Sequence, residues 1–451
     1  MNDFPTSCDV LVLGAGPAGC ATALGLARLG YAVCIAGDWR RFNAIEGISA
    51  RALQGLQQAG LIRTAAIASN PTLRVAHWNG DERASNQEIL LERRRLDGAL
   101  REDLADAEVP MLPASIRSWQ AHASGHVVQL DISGEPHTLN AGFVVEARGR
   151  LAPTQAQGRK GPQTLGLLHA WQGSPVGQDY AGIESMEKGW AWMACLADGR
   201  RYWQYTLDPG HTELPSRNRI AHWTQPLRQS PLALQVLGLP PEPAQIALTA
   251  RPSTATLHAD TGSANWLRVG DAAMAIDPLS GNGIFQSLSS ALQAPAVAHT
   301  LMQRPGEAAL ALQFHAQRIA HLFLRFARTG RDFYALEQRW AEHPFWRERS
   351  VWPDLEPLHT PPDAQLSLAS RPVLDGHYIR QAQVVVSPDQ PLGIWRVAGV
   401  EVAPLVDGLQ RARPVRESED WLQGQLQALP PASRPALLGW LQAHGLLGNA
   451  H

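Results

Sequence analysis

The sequence predicts an α/β protein of two or three domains, and three observations support this prediction. The chain has 451 residues, which exceeds the size of a single ordinary hydrophobic core. Its composition, with 45% hydrophobic and 18% charged residues, is that of a folded globular protein. The segment 8–38 places apolar runs around a glycine-rich turn, in the order strand, turn, helix and strand.

The overall composition also argues against several classes of protein. The formal net charge of −2 gives no reason to expect a nucleic-acid or anionic membrane partner. No charged leader precedes an apolar segment, and no apolar run has the length of a membrane span, so we expect a cytoplasmic protein. The four cysteines lack metal-binding spacing, and we predict neither disulfides nor a metal site.

The first glycine-rich loop, GAGPAG, lies between two apolar runs. The run 10–13 is continuous, as in a buried strand of a parallel sheet. Gly14, Gly16 and Gly19 form the pattern GxGxxG, in which the first glycine permits the turn, the second lets the backbone approach a pyrophosphate, and the third packs helix on strand. The helix predicted over 18–29 would present its first amides to phosphate. The loop therefore predicts a Rossmann-type dinucleotide site.

The remaining residues of this site follow from the same pattern. The loop positions between the glycines are Ala15, Pro17 and Ala18. The acidic residue that binds the ribose hydroxyls is expected directly after VCIA, where Gly37 stands, and Asp38 comes one position later. We take Asp38 as the candidate, with the backbone and Arg40 or Arg41 as alternatives at the adenosine end.

A second glycine-rich helix start, GDAAMAIDPLSGNG, follows a short apolar strand at 266–269. A nicotinamide enzyme needs one such loop, whereas an extended FAD needs a second one for its ring. Asp271 would accept hydrogen bonds from the ribityl hydroxyls, and the loop end would place a helix N-terminus against the flavin edge that is anionic when reduced. The predicted cofactor contacts are Gly270, Asp271, Pro278, Gly281, Asn282 and Gly283.

These motifs resemble those of flavin monooxygenases of the para-hydroxybenzoate hydroxylase type and of their relatives, the flavin halogenases and geranylgeranyl reductases. GAGPAG, FVVEARGR and GDAAMAIDPLSGNGI are similar to the three FAD motifs of that superfamily. LLERRRLDGALREDLA is similar to its R-x-x-x-D-x-x-L helix, which implies that Arg93, or Arg94 or Arg95 after a small shift in register, lies near the FAD phosphates. The resemblance covers about residues 8–350 and implies noncovalently bound FAD.

The resemblance also implies a domain organisation. A Rossmann-type FAD-binding domain (GR2-like) would comprise 1–70, 85–160 and 255–350. Residues 71–84 and 161–254 alternate polar and apolar side chains and are expected to form a mixed β-sheet substrate domain over the flavin. Helices are predicted over 288–303 and 308–342. After a proline-rich segment, residues 366–451 are expected to form a small C-terminal α+β domain that the core of the FAD domain does not need.

The candidate pocket residues come from the strands of the substrate domain. They are Arg74, His77, Trp190, Trp192, Gln204 and Tyr205. GWAWMA resembles the G-W-x-W-x-x-P element of flavin halogenases, although Ala194 and Cys195 depart from it, and packing within a sheet is the alternative role of the two tryptophans. Tryptophan halogenases need a lysine near the flavin, whereas this chain has Arg74 in that strand and no lysine before Lys160. We therefore expect that halide is not a co-substrate.

Two further stretches, RDFYALEQRWAEHPFWRER and the C-terminal SRPVLDGHYIRQ, resemble flavoproteins that modify a tryptophan of a partner polypeptide during cysteine tryptophylquinone biogenesis. The QhpG type serves quinohemoprotein amine dehydrogenase, and the LodB and GoxB type serves amino-acid oxidases. No sequence feature decides between them, and the first is our working hypothesis. The resemblance implies an FAD-dependent monooxygenase that hydroxylates this tryptophan, in two steps, through a flavin C4a-hydroperoxide formed with O2.

Several points stay open from the sequence. The Asp-Gly motif of nicotinamide-dependent hydroxylases is missing from EARGRLAP, so the electron donor is either NAD(P)H or a separate flavin reductase. Residues 366–451 would help to bind the partner polypeptide. The alternatives are a hydroxylase or halogenase of a small aromatic molecule, and a non-catalytic flavin-fold chaperone, which would not need the intact Gly-Asn-Gly run.

Overall fold

A computed structural model describes residues 4–38, 44–122, 125–153, 158–212, 220–359, 366–411 and 415–447. The strands of these residues are Ser7–Leu13 (β1), Val33–Gly37 (β2), Ile45–Ile48 (β3), Thr72–Trp78 (β4), Asp81–Glu92 (β5), Met111–Pro113 (β6), Ser115–His122 (β7), Gly125–Ile132 (β8), Glu135–Glu146 (β9), Arg159–Lys160 (β10), Leu165–Gln172 (β11), Tyr180–Met186 (β12), Gly189–Cys195 (β13), Arg200–Leu207 (β14), Ala247–Pro252 (β15), Thr256–Leu257 (β16), Gly262–Ser263 (β17), Trp266–Arg268 (β18), Met274–Ala275 (β19), Ser367–Asp375 (β20), Tyr378–Ser387 (β21), Gln390–Ile394 (β22), Arg396–Val397 (β23) and Val400–Glu401 (β24).

The helices of the same residues are Pro17–Arg28 (α1), Ala50–Ala59 (α2), Ile62–Ala66 (α3), Arg93–Asp106 (α4), Ile220–Gln229 (α5), Pro231–Leu237 (α6), Gly283–Ala291 (α7), Ala294–Gln303 (α8), Ala308–Ala335 (α9), Pro344–Arg349 (α10), Ala403–Arg411 (α11), Val415–Ala428 (α12) and Arg434–Ala443 (α13). None of these helices is both long enough and apolar enough to cross a membrane.

The first sheet explains the continuous apolar run of the N-terminal segment. Its strands lie in the order β17-β18-β9-β1-β2-β6, and β1 pairs in parallel with β2 and β9. Val10 and Val12 pack into the core beneath helices α1, α2, α7 and α8, whereas Leu11 and Leu13 pack on the other side with β7 and β8. Because both faces of β1 are buried, every residue from Val10 to Leu13 is apolar. The predicted α/β class and Rossmann-type unit are confirmed.

The second sheet has eight strands in the order β15-β11-β14-β13-β12-β4-β5-β3. It is mixed, because β12 pairs in parallel with β4 and in antiparallel fashion with β13. Helices α5 and α6 cover one face through Leu227 and Leu232. Residues 45–48 and 85–92, which the proposed boundaries give to the FAD domain, form β3 and most of β5 in this sheet. The domain boundaries remain a proposal.

Two predicted helices differ from those in the structure. The helix predicted over 288–303 is two helices, α7 and α8, since Pro295 in the first turn of α8 has no N–H to continue α7. The helix predicted over 308–342 ends at Ala335. Beyond it, the buried Glu337 carboxylate accepts the N–H groups of Asn79 and Arg339, each at 2.9 Å, which holds this segment in a turn.

The C-terminal unit is less separate than the sequence indicates. The β20–β21 hairpin packs on α8 and α9, and the N–H of Ile379 donates to Oγ1 of Thr300 at 2.9 Å. Ile379 is fully buried and belongs to the main core beneath the first sheet. The expectation that this core does not need residues 366–451 is therefore wrong for the hairpin. Helices α11 to α13 bury a cluster around Val406 and Leu437, to which Val385 of β21 also belongs.

Candidate active site

The first glycine-rich loop connects β1 to α1 and gives its three glycines different surroundings. A side chain at Gly14, where φ is +110°, would lie 2.5 Å from the carbonyl oxygen of Ala147. A side chain at Gly19 would lie 1.9 Å from the carbonyl oxygen of Gly14. Around Gly16, in contrast, a side chain would meet nothing within 4 Å. Packing therefore requires the first and third glycines, while Gly16 offers bare backbone to a phosphate group.

The other residues of this loop complete an anion-binding helix start. Pro17 stands at the beginning of α1, where a missing N–H costs no helical hydrogen bond, and no side chain caps the helix. The end of β2 touches the loop, because a side chain at Gly37 would lie 2.9 Å from the backbone nitrogen of Ala15. Asp38 follows Gly37 and is exposed. The two arginines considered as alternatives, at positions 40 and 41, lie outside the described residues.

The second glycine-rich loop packs directly on the first. Gly270 has a φ of +60°, and a side chain there would lie 2.7 Å from Cβ of Ala18. The N–H of Gly270 donates to Oγ of Ser290 in α7 at 2.8 Å. The contact between Gly270 and Ala18 brings together two parts of the predicted cofactor site that are far apart in sequence.

The end of the second loop exposes bare backbone at the start of α7. Pro278 begins a 3-10 turn, Pro278–Ser280, and Gly281 follows in the left-handed region with a φ of +62°. Asn282 donates from its side chain to the carbonyl of Ser280 and precedes the first helical residue. A side chain at Gly283 would meet nothing within 4 Å. This geometry gives a flat group access to the backbone and to the N-terminus of α7.

Asp271 lies between these two ends of the loop and is partly buried. Oγ of Ser287 donates to its Oδ1 at 3.0 Å, and Nε of Arg150 lies 3.7 Å from its Oδ2. Burial raises the pKa of Asp271, and the Arg150 charge acts in the opposite direction. Arg150 belongs to the FVVEARGR motif, which by itself assigns it no role, and the structure places it beside Asp271.

Arg93 is the arginine of its run that points inward. Its side chain is buried at the start of α4 and bonds Oε1 of Glu46 at 2.9 Å, whereas Arg94 and Arg95 are exposed. The charges of Arg93 and Glu46 both act on the pKa of Asp271, so all three groups surround one region. Glu46 lies in no motif, so the sequence alone does not point to it, and its contact with Arg93 makes it a candidate site residue.

The register of the large sheet separates the candidate pocket residues into two faces. Cross-strand partners share a face of a sheet. His77, Glu184, Ala191 and Tyr205 are successive partners across β4, β12, β13 and β14. We call this face, which α5 and α6 cover, the helix face. The next row, on the opposite face, consists of Ala76, Ile183, Trp192 and Gln204.

We call that opposite face the loop face, because it meets the second glycine-rich loop. Trp190 and Ile183 of this face form a cluster with Leu279 of the loop. A side chain at Gly281 would lie 4.0 Å from Nη1 of Arg74. The loop face therefore holds Arg74, Trp190, Trp192 and Gln204. His77 and Tyr205 point away from the loop, and we do not retain them as pocket residues.

On the loop face, Arg74 and Trp192 meet at one buried carboxylate. Trp192 donates from Nε1 to Oε1 of Glu88 at 3.0 Å. Nη1 of Arg74 lies 3.7 Å from Oε2 of the same residue. Burial raises the pKa of Glu88, and Arg74 and Trp192 lower it. Glu88 follows the apparent substrate strand in sequence and was missed because the predicted boundaries place it in the FAD domain.

Trp190 belongs to a second hydrogen-bonded group, which reaches the loop itself. Its Nε1 donates to the hydroxyl of Tyr334 at 3.0 Å, and that hydroxyl donates to Oδ1 of Asp277 at 2.9 Å. Burial raises the pKa of Tyr334 well above its ordinary value, so the phenol stays protonated. Asp277 precedes Pro278, and it also accepts the N–H of Leu279 at 2.9 Å. Tyr334 stands in the quoted stretch RDFYALEQRW and therefore ties this stretch to the loop.

An aromatic cluster surrounds this group. Its members are Trp78, Trp190, Trp192, Tyr334, Trp340, Phe345 and Trp346, packed with Ile183 and Leu279. The rings of Trp78 and Trp346 meet edge to face with their centroids 5.5 Å apart. Trp346 also donates from Nε1 to the carbonyl of Glu187 at 3.0 Å. These side chains cover one side of the loop through their packing against Leu279.

The residues around both loops fit an extended FAD. Gly16 and Gly283 leave open space where a side chain would otherwise stand, one at each helix start. Asp271, which accepts a hydrogen bond from Oγ of Ser287, would also accept hydrogen bonds from ribityl hydroxyls. Gly16 and α1 would hold the pyrophosphate, and the run from Gly281 to Gly283 would hold the ring. Bound there, FAD supplies two-electron redox chemistry and activation of O2.

One group of possible metal ligands occurs among the described residues. Ligand atoms of Asp208, His211 and Glu348 lie within 4.8 Å of one another. Asp208 already pairs with the buried Arg349 at 3.2 Å, and His211 bonds Glu348 at 2.9 Å. Because these contacts occupy the candidate ligands, we propose no metal site there.

Comparisons with known proteins extend this picture. No protein-family model matches the chain. Among solved structures, the peptidyl tryptophan dihydroxylase QhpG, essential for tryptophylquinone cofactor biogenesis, is 47% identical, with a TM-score of 0.85 over 98% of this chain and 100% of that chain. The chain belongs to the QhpG family. The resemblance stated from the sequence, including the branch taken as the working hypothesis, is confirmed.

Flavin halogenases share the fold at much lower identity. CmlS, a flavin-dependent halogenase, is 15% identical, with a TM-score of 0.73 over 90% of this chain and 89% of that chain. A tryptophan 2-halogenase of Chondromyces crocatus is 24% identical over 399 residues, which are 77% of this chain and 72% of that protein. As a member of the QhpG family, the chain is an FAD-dependent oxidoreductase.

Proposed function

We propose that this chain hydroxylates a tryptophan side chain of a partner polypeptide, in two successive steps, during the biogenesis of a cysteine tryptophylquinone cofactor. The observation that carries the proposal is the extent of the similarity to QhpG, which includes the C-terminal unit and covers 98% of this chain. The proposed target belongs to the quinohemoprotein amine dehydrogenase system. The proposed compartment is the cytoplasm, where four cysteines without disulfide partners stay reduced.

Each hydroxylation replaces one C–H bond of the indole by C–OH. One atom of O2 enters the product and the other leaves as water, which consumes two electrons and two protons. The electrons come from NAD(P)H or from a separate flavin reductase, and bound FAD supplies an electrophilic oxygen. Because indole is electron-rich, the protein must mainly orient the ring and exclude water.

The chain's own residues serve these two tasks. Tyr334 holds Asp277 and thereby the loop that would carry the flavin ring. Trp190 holds Tyr334 from the sheet. The aromatic cluster excludes water on this side, and Trp192 and Gln204 present the loop face to the substrate.

Intact-mass measurement of a co-expressed partner polypeptide tests the proposal. We expect an increase by one or two oxygen atoms that disappears when O2 is withheld. An increase by a halogen would support a halogenase instead. An unchanged mass, with FAD bound and reductant supplied, would contradict hydroxylation of the partner and leave the chaperone and the small-molecule enzyme as alternatives. Equal hydroxylation of free tryptophan would contradict the polypeptide substrate.

Bromide in the same assay separates hydroxylation from halogenation. Arg74 pairs with Glu88 in the strand where a halogenase would need its lysine, and we expect no brominated product. Bromide-dependent modification of any indole would contradict this expectation. The assay uses a reduced-flavin source, so that the identity of the electron donor does not affect its outcome.

Noncovalent FAD is tested by acid precipitation, which should release flavin absorbance into the supernatant. Asp271→Ala should weaken FAD binding by about 1–3 kcal/mol, because it leaves ribityl hydroxyls and the donor Ser287 without an acceptor. Ser287→Ala is the matched control, since it keeps the carboxylate, and it should change binding by less than half as much. Equal losses in both variants would contradict the role of Asp271.

We retain the proposal that residues 366–451 help to bind the partner, with a changed test. Truncation before 366 would remove Ile379 from the main core. Trp395, half-buried between Arg380 and Arg396, is the better target. Trp395→Ala should lower modification at limiting partner concentration and leave the FAD content unchanged. Full modification by this variant at every partner concentration would contradict the role of Trp395.

A further inference from the structure

Arg74 has an unusual position on the loop face. The pairing between β4 and β5 shifts register between Leu73 and Val75, so Arg74 stands at a β-bulge. Bulges re-aim a side chain relative to the regular strand. The Nη1 atom of Arg74 lies 4.0 Å from the place where a side chain at Gly281 would begin. The guanidinium is thus directed at the backbone run that would hold the flavin ring.

A buried carboxylate also holds this guanidinium in place. Glu88 lies 3.7 Å from Arg74, and its side chain is 8% exposed. Trp192 holds the other carboxylate oxygen at 3.0 Å. A side chain at Gly47 would lie only 2.0 Å from Oε2 of Glu88, so glycine at this position makes room for the carboxylate. Residues of β3, β4, β5 and β13 therefore combine to place one ion pair against the loop.

We propose that Arg74 is the fixed positive charge that raises the reduction potential of the bound flavin, and that Glu88 is a positioning residue that partly offsets this charge. The inference rests on FAD binding as proposed above but not on the identity of the substrate. Reduction makes the flavin ring anionic, so a nearby cation stabilises the reduced form more than the oxidised form. A guanidinium keeps its charge at every accessible pH and holds a fixed direction, which suits this role better than a mobile ammonium.

The test is the midpoint potential of FAD in the purified protein without any partner, measured by equilibration with a redox dye. Arg74→Met should lower the ratio of reduced to oxidised flavin at a fixed potential by about tenfold, or about 30 mV for a two-electron couple. Arg74→Lys should restore most of this ratio. Glu88→Gln keeps an acceptor for Trp192 but removes the opposing charge, so it should raise the ratio.

Arg83→Met is the matched control, because Arg83 lies in the neighbouring strand β5 with an exposed side chain that pairs with Asp81. It should leave the potential unchanged. An unchanged potential in Arg74→Met, or no recovery in Arg74→Lys, would overturn the proposal. If Arg74→Met fails to bind FAD, the measurement on Glu88→Gln decides: a higher potential supports the proposal, and an unchanged or lower potential overturns it. If the midpoint potentials shift as expected but the partner is not hydroxylated, this inference holds and the proposed function is contradicted.

Discussion

The two faces of the large sheet use the same strands for different purposes. On the helix face, Trp203 and Tyr205 stack with centroids 5.4 Å apart beneath α5 and α6, and His169 meets Trp203 at 5.1 Å. On the loop face, Trp190 and Trp192 donate their indole N–H groups to Tyr334 and Glu88. Aromatic residues on one face fill space, whereas those on the other also fix polar groups beside the loop.

The role of a tryptophan in such a strand therefore depends on the face of the sheet to which its side chain points. Adjacent residues point to opposite faces, so neighbours in sequence can have unrelated roles. Trp203 and Gln204 are an example, because the first is fully buried on the helix face and the second lies on the loop face. Substitutions on the helix face should therefore affect stability, and those on the loop face should affect the flavin site.

The largest effect should come from the helix face. Trp203→Ala should lower the free energy of unfolding by about 3–5 kcal/mol, because it leaves a cavity beneath α5 and α6. Gln204→Ala, one residue away, should change it by about 0.5 kcal/mol. Urea unfolding with saturating FAD measures both. Equal losses of unfolding free energy in the two variants would contradict the distinction between the faces.

A second effect on the helix face depends on pH. Burial lowers the pKa of His169 to about 4 from its ordinary value of 6.5. The unfolded chain therefore binds a proton more readily between these two values, and stability present above pH 6.5 is lost as the pH falls towards 4. We expect His169 to account for about 2–3 kcal/mol of this loss.

His169→Gln tests this expectation, because glutamine does not titrate. The difference between urea unfolding at pH 7 and at low pH should be smaller in this variant than in the unchanged protein. His77, on the same face but only partly buried, offers the control substitution His77→Gln. A pH dependence that His169→Gln leaves intact would show that other groups cause the acid loss.

The smallest of these effects concerns the loop face. Tyr334→Phe removes the hydroxyl between Trp190 and Asp277, and it should weaken FAD binding by about 1–2 kcal/mol, because the loop loses one of its fixed contacts. Tyr205→Phe is the matched control on the helix face and should leave FAD binding unchanged. Fluorescence titration of the FAD-free protein measures both. A larger loss in Tyr205→Phe would reverse the assignment of the faces.

The sequence alone determined the cofactor scaffold, because its signals are local. GxGxxG between apolar runs predicts the first loop, and the second loop shows its turn and helix start in fourteen consecutive letters. The family resemblance added the three FAD motifs, whereas the choice of the QhpG branch rested on the comparison with solved structures. In each motif the residues that form the loop are neighbours in the chain, so the backbone conformation they require can be inferred from the sequence.

Only the tertiary structure decided which side chains meet at the site. The alternation of GWAWMA places both tryptophans on one face but does not say which face meets the loop. Tyr334 lies 144 residues from Trp190, and Glu88 lies 104 residues from Trp192. The burial of Ile379 in the main core also depends on how the hairpin packs against α8 and α9. Such contacts form between distant segments, and no local pattern encodes them.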